Sequence, residues 1–254
     1  MSFLKRLFGG TQRAPQPPAA PSTSEFLAQC RAHLGSFDRH TQPKEWAEAA
    51  RILSNNLVAA AHSDNAIASY TEAAEVLREA IAASDEHVNV DVRALLRKMR
   101  GEVLYRHGIL LEGDARGHML ADAANLLAEA AGLIQPRHFR ELWMEAATFR
   151  GAALHELGRM KSGPEGLAWM DDAAACFAEI AEHGSADGPN PIGLYNRYVV
   201  LEQRGHRTEG SARHEIYREA RTALVRAMAT KTFSGNPDMT ARLADLDAVI
   251  AASD

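Results

Sequence analysis

Three arginines, Arg100, Arg150 and Arg197, occupy equivalent positions in a repeated sequence pattern. A guanidinium group binds carboxylates and phosphates through two parallel hydrogen bonds, so a stack of such repeats would present an arginine ladder to an anionic ligand. Acids that lie near the arginines offer a structural alternative, in which each arginine forms an ion pair that braces the helices. The acids that we consider for this role are Glu102, Glu145 and Asp171. We take the structural alternative as the default interpretation.

No set of residues with catalytic spacing accompanies the arginines. His155 and Glu156 do not extend to an HExxH zinc motif, and no phosphate-binding glycine loop follows a strand. The 11 histidines are scattered along the chain, and His62, His107 and His206 fall at predicted helix ends, where a cation is favoured. The sequence therefore predicts a protein that is not an enzyme and that uses no metal ion or other cofactor.

The arginines belong to a repeat of glycine, alanine and large apolar residues. One copy reads Arg100, Gly101, Leu104, Gly108, Ala123, Leu127 and Ala130. The same classes return as Arg150, Gly151, Leu154, Gly158, Ala173, Phe177 and Ile180, and again as Arg197, Leu201, Gly205, Ala220, Leu224 and Ala227. A fainter copy is Ala73, Leu77 and Ala80. The distance from the second glycine to the first alanine is constant, which is typical of stacked helical hairpins.

Apolar residues at helical spacing predict ten helices joined by short loops. The first is capped by Ser22 or Ser24. A turn at Ser63-Asp64-Asn65 separates the second helix from the third. Gly108 is expected to end its helix in the left-handed conformation. After the first helix, the predicted ranges are 44–62, 66–83, 92–106, 117–134, 139–157, 164–183, 192–204, 212–230 and 238–252.

This pattern resembles the tetratricopeptide repeat, over roughly residues 45–230. The family places a glycine in the middle of the first helix, a large residue three positions later and a glycine at the helix end, as in Gly101, Leu104 and Gly108. A glycine inside a helix costs about 1 kcal/mol, which is tolerable where another helix passes close by. The period near fifty residues is longer than in the family, arginine replaces the usual apolar residue before the glycine, and Tyr198 replaces one glycine.

The resemblance implies an all-α, right-handed α-solenoid of about four hairpins, with an extra helix capping each end. It also implies a groove lined mainly by the first helix of each hairpin. The mixed charge of the residues expected there suggests a peptide or protein segment as the ligand, rather than a polyanion. These groove candidates are Lys98, Glu102, Tyr105, Thr148, His155, Tyr195, Asn196 and Glu202.

Residues 1–10 form a short segment that is both apolar and basic. At helical spacing, its apolar side chains would share one face, with two basic residues on the other: Phe3, Leu4, Leu7 and Phe8, then Lys5 and Arg6. Such a segment is marginal as a free helix and would fold on a membrane surface or on a partner. The alternative is an irregular start whose apolar side chains tuck against the body. Residues 11–24, with four prolines, read as a linker to a repeat domain over 25–254.

Composition and charge limit the partners and the cellular location that we expect for this protein. The formal charge of −5 and the lack of a basic patch exclude nucleic acid as an expected partner. No apolar run approaches the roughly 18 residues that span a bilayer, and no secretory signal begins the sequence. Cys30 and Cys176 lie far apart, outside any metal-binding or disulfide pattern, as expected of reduced structural thiols. We therefore expect a cytoplasmic protein, with weak membrane-surface contact through residues 1–10 as an option.

These observations favour a protein-protein interaction scaffold, an adaptor or assembly factor that binds a partner segment in its groove. Residues 1–10 would localise it to a membrane face or to a second protein. The alternative function is an anion or small-ligand sensor that uses Arg100, Arg150 and Arg197.

Overall fold

The structure, a computed structural model, describes residues 22–62, 65–84, 88–183 and 188–252. Within these ranges the chain forms ten α-helices and no β-strand, so the all-α prediction is confirmed. The helices are α1 (Thr23–Gly35), α2 (Pro43–Ala59), α3 (Ala66–Ser84), α4 (Val90–Gly108), α5 (Gly113–Leu133), α6 (Arg140–Met160), α7 (Gly163–Glu182), α8 (Pro191–His206), α9 (Ser211–Met228) and α10 (Pro237–Ala251).

Several sequence predictions fall outside the described residues. They concern the docking segment 1–10, the linker as far as residue 21, the centre of the turn at 63–64 and residues 184–187 of the loop before α8. Elsewhere the predicted helix ends agree to within a few residues. The largest difference is at α5, which begins at Gly113 rather than near Gly117.

Local capping explains where several helices begin. The Ser22 hydroxyl accepts a hydrogen bond from the Glu25 backbone N–H, and the Glu25 carboxylate accepts one from the Ser22 N–H at 2.8 Å. This reciprocal pair satisfies backbone donors that the first helical turn leaves without partners. The side chains of Asn190 and Asn236 likewise accept hydrogen bonds from backbone N–H groups at the start of α8 and α10. Each asparagine is followed by a proline at the first helical position.

Each helix packs against the next helix along the chain, from α1 on α2 to α9 on α10. Contact is most extensive within the pairs α4 with α5, α6 with α7, α8 with α9 and α2 with α3, and α4 also contacts α6. These pairs are therefore helical hairpins, and the contacts between hairpins follow chain order. That order of contacts is compatible with a solenoid.

The core of each hairpin is built from the repeated small and large residues. Ala123, Leu127 and Ala130 of α5 are fully buried. A Cβ atom added to Gly101 would lie 2.6 Å from Leu127 Cγ, and one added to Gly151 would lie 2.8 Å from Phe177 Cζ. The glycine in the middle of the first helix therefore admits the large residue of the second helix, as the sequence predicts.

The second glycine of each repeat also has a packing role. The prediction that Gly108 ends its helix in the left-handed conformation is wrong. Gly108 is the last residue of α4, and the described positive-φ residues are glycines elsewhere in the chain. A Cβ on Gly158 would lie 2.7 Å from Met170 Cγ, and one on Gly205 2.7 Å from Tyr217 Cε1. The left-handed glycines of the repeat instead lie where the second helices begin: Gly113, Gly163 and Gly210.

No helix within the described part of the chain has the length and apolar character needed to cross a bilayer.

Candidate binding surface on the first helices

The helices α4, α6 and α8 are the first helices of three successive hairpins, and polar and aromatic side chains connect them directly. We call the surface that carries these contacts the first-helix face. On it, Lys98 Nζ lies 2.9 Å from Glu102 Oε2 of the same helix and 2.5 Å from Glu145 Oε2 of α6. The rings of Tyr105 and Phe149 lie beside this ion pair, with centroids 5.7 Å apart. Three of the groove candidates therefore belong to one cluster that joins α4 to α6.

Lys98 and Glu102 remain charged although the cluster is largely buried. Only 8% of Lys98 is exposed. Burial alone would lower the pKa of Lys98, but the hydrogen bonds that it donates to its two glutamate partners raise it. Burial alone would raise the pKa of Glu102, but Lys98 and Arg106 together lower it. The cluster is therefore an ion-pair network that contributes to the contact between two hairpins.

His155 of α6 connects this helix to α8 on the first-helix face. Its Nε2 atom lies 2.8 Å from Gln203 Oε1. Burial lowers the pKa of His155, against the opposing effects of the Gln203 hydrogen bond and the Glu156 carboxylate, while the Arg159 cation adds to the lowering. The imidazole is therefore neutral at neutral pH and serves as a hydrogen-bonding side chain between hairpins.

We expect the stability of the protein to depend on His155 at mildly acidic pH. Because the folded-state pKa is depressed, the contribution is fully present above the unfolded pKa near 6.5 and is lost as pH falls through the folded pKa. The thermal midpoint should fall less over this range in His155→Gln, which can hold Gln203 but does not titrate. Equal slopes in the two proteins, or an NMR titration of His155 centred above 6.5, would contradict this assignment.

The last groove candidates lie where α8 meets the C-terminal helices. Tyr195 contacts Phe233, with ring centroids 5.5 Å apart. Tyr198 donates a hydrogen bond to Glu202 Oε1 at 2.7 Å, and burial is the main cause that raises the pKa of Tyr198 to about 12. Arg242 of α10 lies 3.8 Å from the same glutamate. Tyr195 and Glu202 therefore connect α8 to the end of the chain, and Asn196 is half-buried on the same helix.

A mostly apolar pocket opens between α6 and α8. Its volume is about 280 Å³, and Met144, Phe149, Ile180 and Ile192 form its apolar lining. Thr148, another groove candidate, lines it together with Asn190 and two exposed glutamates, Glu141 and Glu145. Ile192 is 54% exposed, which is high for a large aliphatic side chain in a helix. Sequence reasoning missed the pocket, because Ile192 precedes the core stripe of α8.

A second pocket occupies the equivalent place between α2 and α4. It measures about 300 Å³ and is lined on α2 by Lys44, Ala47, Glu48 and Arg51. These positions have the same spacing as positions 141, 144, 145 and 148 on α6. The opposite wall includes Asn89, which caps α4 as Asn190 caps α8. The two pockets are therefore repeats of one inter-hairpin feature.

The two pockets differ in charge. Arg51 pairs with Glu48 at 2.5 Å, and Glu145 pairs with Lys98 at the same distance. Among the residues that the structure describes, no oppositely charged side chain forms an ion pair within 4 Å with Lys44 or with Glu141. A cation thus remains uncompensated at the α2–α4 pocket and an anion at the α6–α8 pocket.

The repeated arginines face the second helix of their own hairpin. Arg197 Nη2 lies 3.5 Å from Glu219 Oε2 of α9. Burial lowers the pKa of Arg100, and the Asp122 carboxylate of α5 is the strongest of the charges that oppose this effect. Arg150 and Asp172 both lie within electrostatic reach of the Cys176 thiol, whose pKa burial raises. In each hairpin the acid follows the arginine by 22 positions and directly precedes the repeated alanine.

The acids that we had considered as arginine partners are engaged elsewhere. Glu102 and Glu145 pair with Lys98, and Asp171 pairs with Arg204 at 2.5 Å. Those specific pairings are therefore wrong, although the arginines do lie beside acids. An arginine ladder that takes a ligand stays a prediction.

The described residues contain no group of three or more His, Cys, Asp or Glu side chains arranged to hold a metal ion. Cys30 and Cys176 are both free and buried. Comparison with protein-family models and with curated proteins finds no match to this chain.

Proposed function

We propose that this protein is a scaffold that binds a segment of a partner protein on its first-helix face. The observation that carries the proposal is the α6–α8 pocket, where exposed Ile192 and buried Ile180 flank an apolar cavity edged by glutamates. A pocket of this kind suits one large apolar anchor side chain, and such anchors supply most of the free energy at peptide-binding surfaces.

The proposed architecture is a divergent, tetratricopeptide-like, right-handed array. Its four hairpins would be α2 with α3, α4 with α5, α6 with α7 and α8 with α9, and α1 and α10 would cap the ends. The ion-pair and aromatic contacts between α4 and α6 support a preformed face, because they hold neighbouring hairpins in one orientation. A preformed surface binds without the cost of ordering itself.

The proposed scaffold acts by binding alone, without a cofactor, in the cytoplasm or at a membrane surface. The anion-sensor alternative has less support, because Arg197 pairs with Glu219 and the charge of Asp122 acts on Arg100, both within one hairpin. Binding of a polyanion would compete with those acids.

Replacing Ile192 tests the proposal. Because Ile192 is half-exposed, Ile192→Arg should leave the fold intact while it removes an apolar wall of the pocket. Loss of an anchor contact worth about 2 kcal/mol weakens binding roughly thirtyfold. Affinity purification with mass spectrometry should recover specific partners with the unaltered protein and lose them with the variant.

The matched control is Val225→Arg on α9, which places the same charge on an exposed apolar residue away from the pocket. Partners should be recovered equally well with this variant. Recovery of the same partners with Ile192→Arg, at unchanged circular dichroism, would count against the α6–α8 pocket as the binding site.

A further inference from the structure

We infer that the α6–α8 pocket binds the first ten residues of this same chain, so that they compete with a partner segment for the scaffold. The inference rests on the proposed function, since it names an occupant for the same site.

The chemistry of the two surfaces is complementary. The segment offers the large apolar side chains Phe3, Leu4, Leu7 and Phe8. The pocket offers an apolar lining that includes Phe149 and Ile192. Two cations, Lys5 and Arg6, accompany the apolar residues of the segment. Glu141 supplies an anion to the pocket that no described residue neutralises.

The α2–α4 pocket serves as an internal comparison. It has nearly the same volume and the same helical spacing of lining residues, but Lys44 stands where the other pocket has Glu141. Lys44 therefore repels a basic segment at the α2–α4 pocket, because like charges repel. Glu141 attracts the same segment at the α6–α8 pocket, because opposite charges attract. Charge therefore selects the α6–α8 pocket among two cavities of similar shape.

The chain is long enough for the contact. Thirteen residues lie between Phe8 and Ser22, where the described structure begins. A proline-rich segment of that length extends to about 40 Å, at roughly 3.1 Å per residue. Packed helices lie about 8–10 Å apart. The path from α1 through α2, α4 and α6 crosses three such spacings, so the α6–α8 pocket is on the order of 30 Å from α1.

Tethering makes even weak binding effective. A connection whose length matches the span gives an effective concentration on the order of 1 mM, at which a segment with a free-peptide Kd of about 100 μM fills its site roughly nine-tenths of the time. A partner would then have to displace the segment, and partner binding would release residues 1–10 for contact elsewhere.

The experiment uses the full chain and a fluorescent peptide of residues 1–10. In one variant, the four apolar side chains of the segment are replaced together: Phe3→Ser, Leu4→Ser, Leu7→Ser and Phe8→Ser. The peptide should bind this variant about tenfold more tightly than it binds the unaltered chain, in which the pocket is already filled. Equal binding to the two proteins, or no binding to either, overturns the inference.

Further substitutions in the serine variant locate the site. Ile192→Arg should abolish peptide binding and Glu141→Lys should weaken it severalfold, whereas Lys44→Arg, which keeps the cation of the other pocket, should leave it unchanged. A photo-crosslinker placed at Phe3 of the full chain should label α6 or α8 within the same molecule. Labelling confined to other helices overturns the inference.

Two outcomes separate this inference from the proposed function. If Ile192→Arg loses partners but no protein binds the peptide, the scaffold function stands and the self-binding inference fails. If the peptide binds vesicles that contain phosphatidylserine and does not bind the protein, the segment is a membrane contact and the inference also fails.

Discussion

Replacing Gly193 by alanine is expected to destabilise the C-terminal part of the protein strongly. A Cβ atom at this position would lie 2.6 Å from the Ala181 backbone nitrogen and 3.0 Å from the Ile180 carbonyl carbon. Those atoms are backbone of α7, so no side-chain rotation relieves the clash and the two helices must separate. Overpacking of a core costs about 1–3 kcal/mol, and we expect a net loss of about 2 kcal/mol or more.

The matched control is Gly117→Ala in α5, where the added methyl group meets only the end of the Met160 side chain at 3.6 Å. There the higher helix propensity of alanine should stabilise the protein, by at most about 1 kcal/mol. The two substitutions make the same chemical change with opposite expected signs. Thermal unfolding followed by circular dichroism measures both.

Hydrogen exchange adds a spatial test of the Gly193→Ala prediction. In an array of hairpins each unit depends on its neighbours, so a weakened contact between α7 and α8 should first release α8, α9 and α10. Amides of α2 to α5 should keep their protection. A uniform loss of protection along the chain, or a variant as stable as the parent, would contradict this account of Gly193.

The hairpin core was predictable because its signals are local and periodic. Gly101 and Leu127 recur with the same spacing in the next hairpin as Gly151 and Phe177, so one interpretation of the repeat applied to both. The acids that follow the arginines by 22 positions were equally regular. Their pairing could have been read from the sequence, but acids closer along the chain were chosen instead.

Glycine near a helix end has two uses that sequence spacing does not distinguish. Gly108 and Gly113 recur with identical steps along the chain, yet one admits Leu120 and the other adopts positive φ. Only the position of the partner helix decides between close packing and a left-handed turn. The interpretation of Gly108 failed for that reason.

Contacts between hairpins were the least predictable part of the binding surface. Lys98 and Glu145 lie 47 positions apart, and Ile192 of α8 lines the same pocket as Met144 of α6. Their proximity depends on how closely successive first helices approach, which the residue types of one helix do not specify. The groove candidates lie on the first helices α4, α6 and α8, while the pocket between α6 and α8 was not predicted.

Removing the Lys98 charge should be the most damaging polar substitution on the first-helix face. Lys98→Met keeps the length and apolar stem of the side chain but leaves the largely buried Glu102 and its neighbour Glu145 without their shared cation. Breaking a buried ion pair from one side costs about 3–5 kcal/mol. We expect about 3 kcal/mol, because Arg106 still pairs with Glu102 at 2.8 Å. For a protein of this size, that lowers the thermal midpoint by roughly 6–12 °C.

The effect should depend on pH with a defined sign. In the parent protein the pKa of Glu102 is depressed, so the stability that it contributes is present above its unfolded pKa and is lost as pH falls through the folded value. Without Lys98, only Arg106 opposes the effect of burial, so the pKa of Glu102 rises relative to the parent protein and protonation relieves the loss of its second cation. The deficit of Lys98→Met should therefore shrink as the pH is lowered from 7 towards 4.

An exposed lysine provides the control for this prediction. Lys161 forms an ion pair with Glu165 at 4.0 Å, and both side chains are largely exposed, so Lys161→Met should change the free energy of unfolding by less than about 1 kcal/mol. Its effect should also be insensitive to pH over the same range. If Lys98→Met were as mild as this control, the contact between α4 and α6 would not depend on the ion pair. The first-helix face would then be held by the Tyr105 and Phe149 rings and by the buried cores of the hairpins.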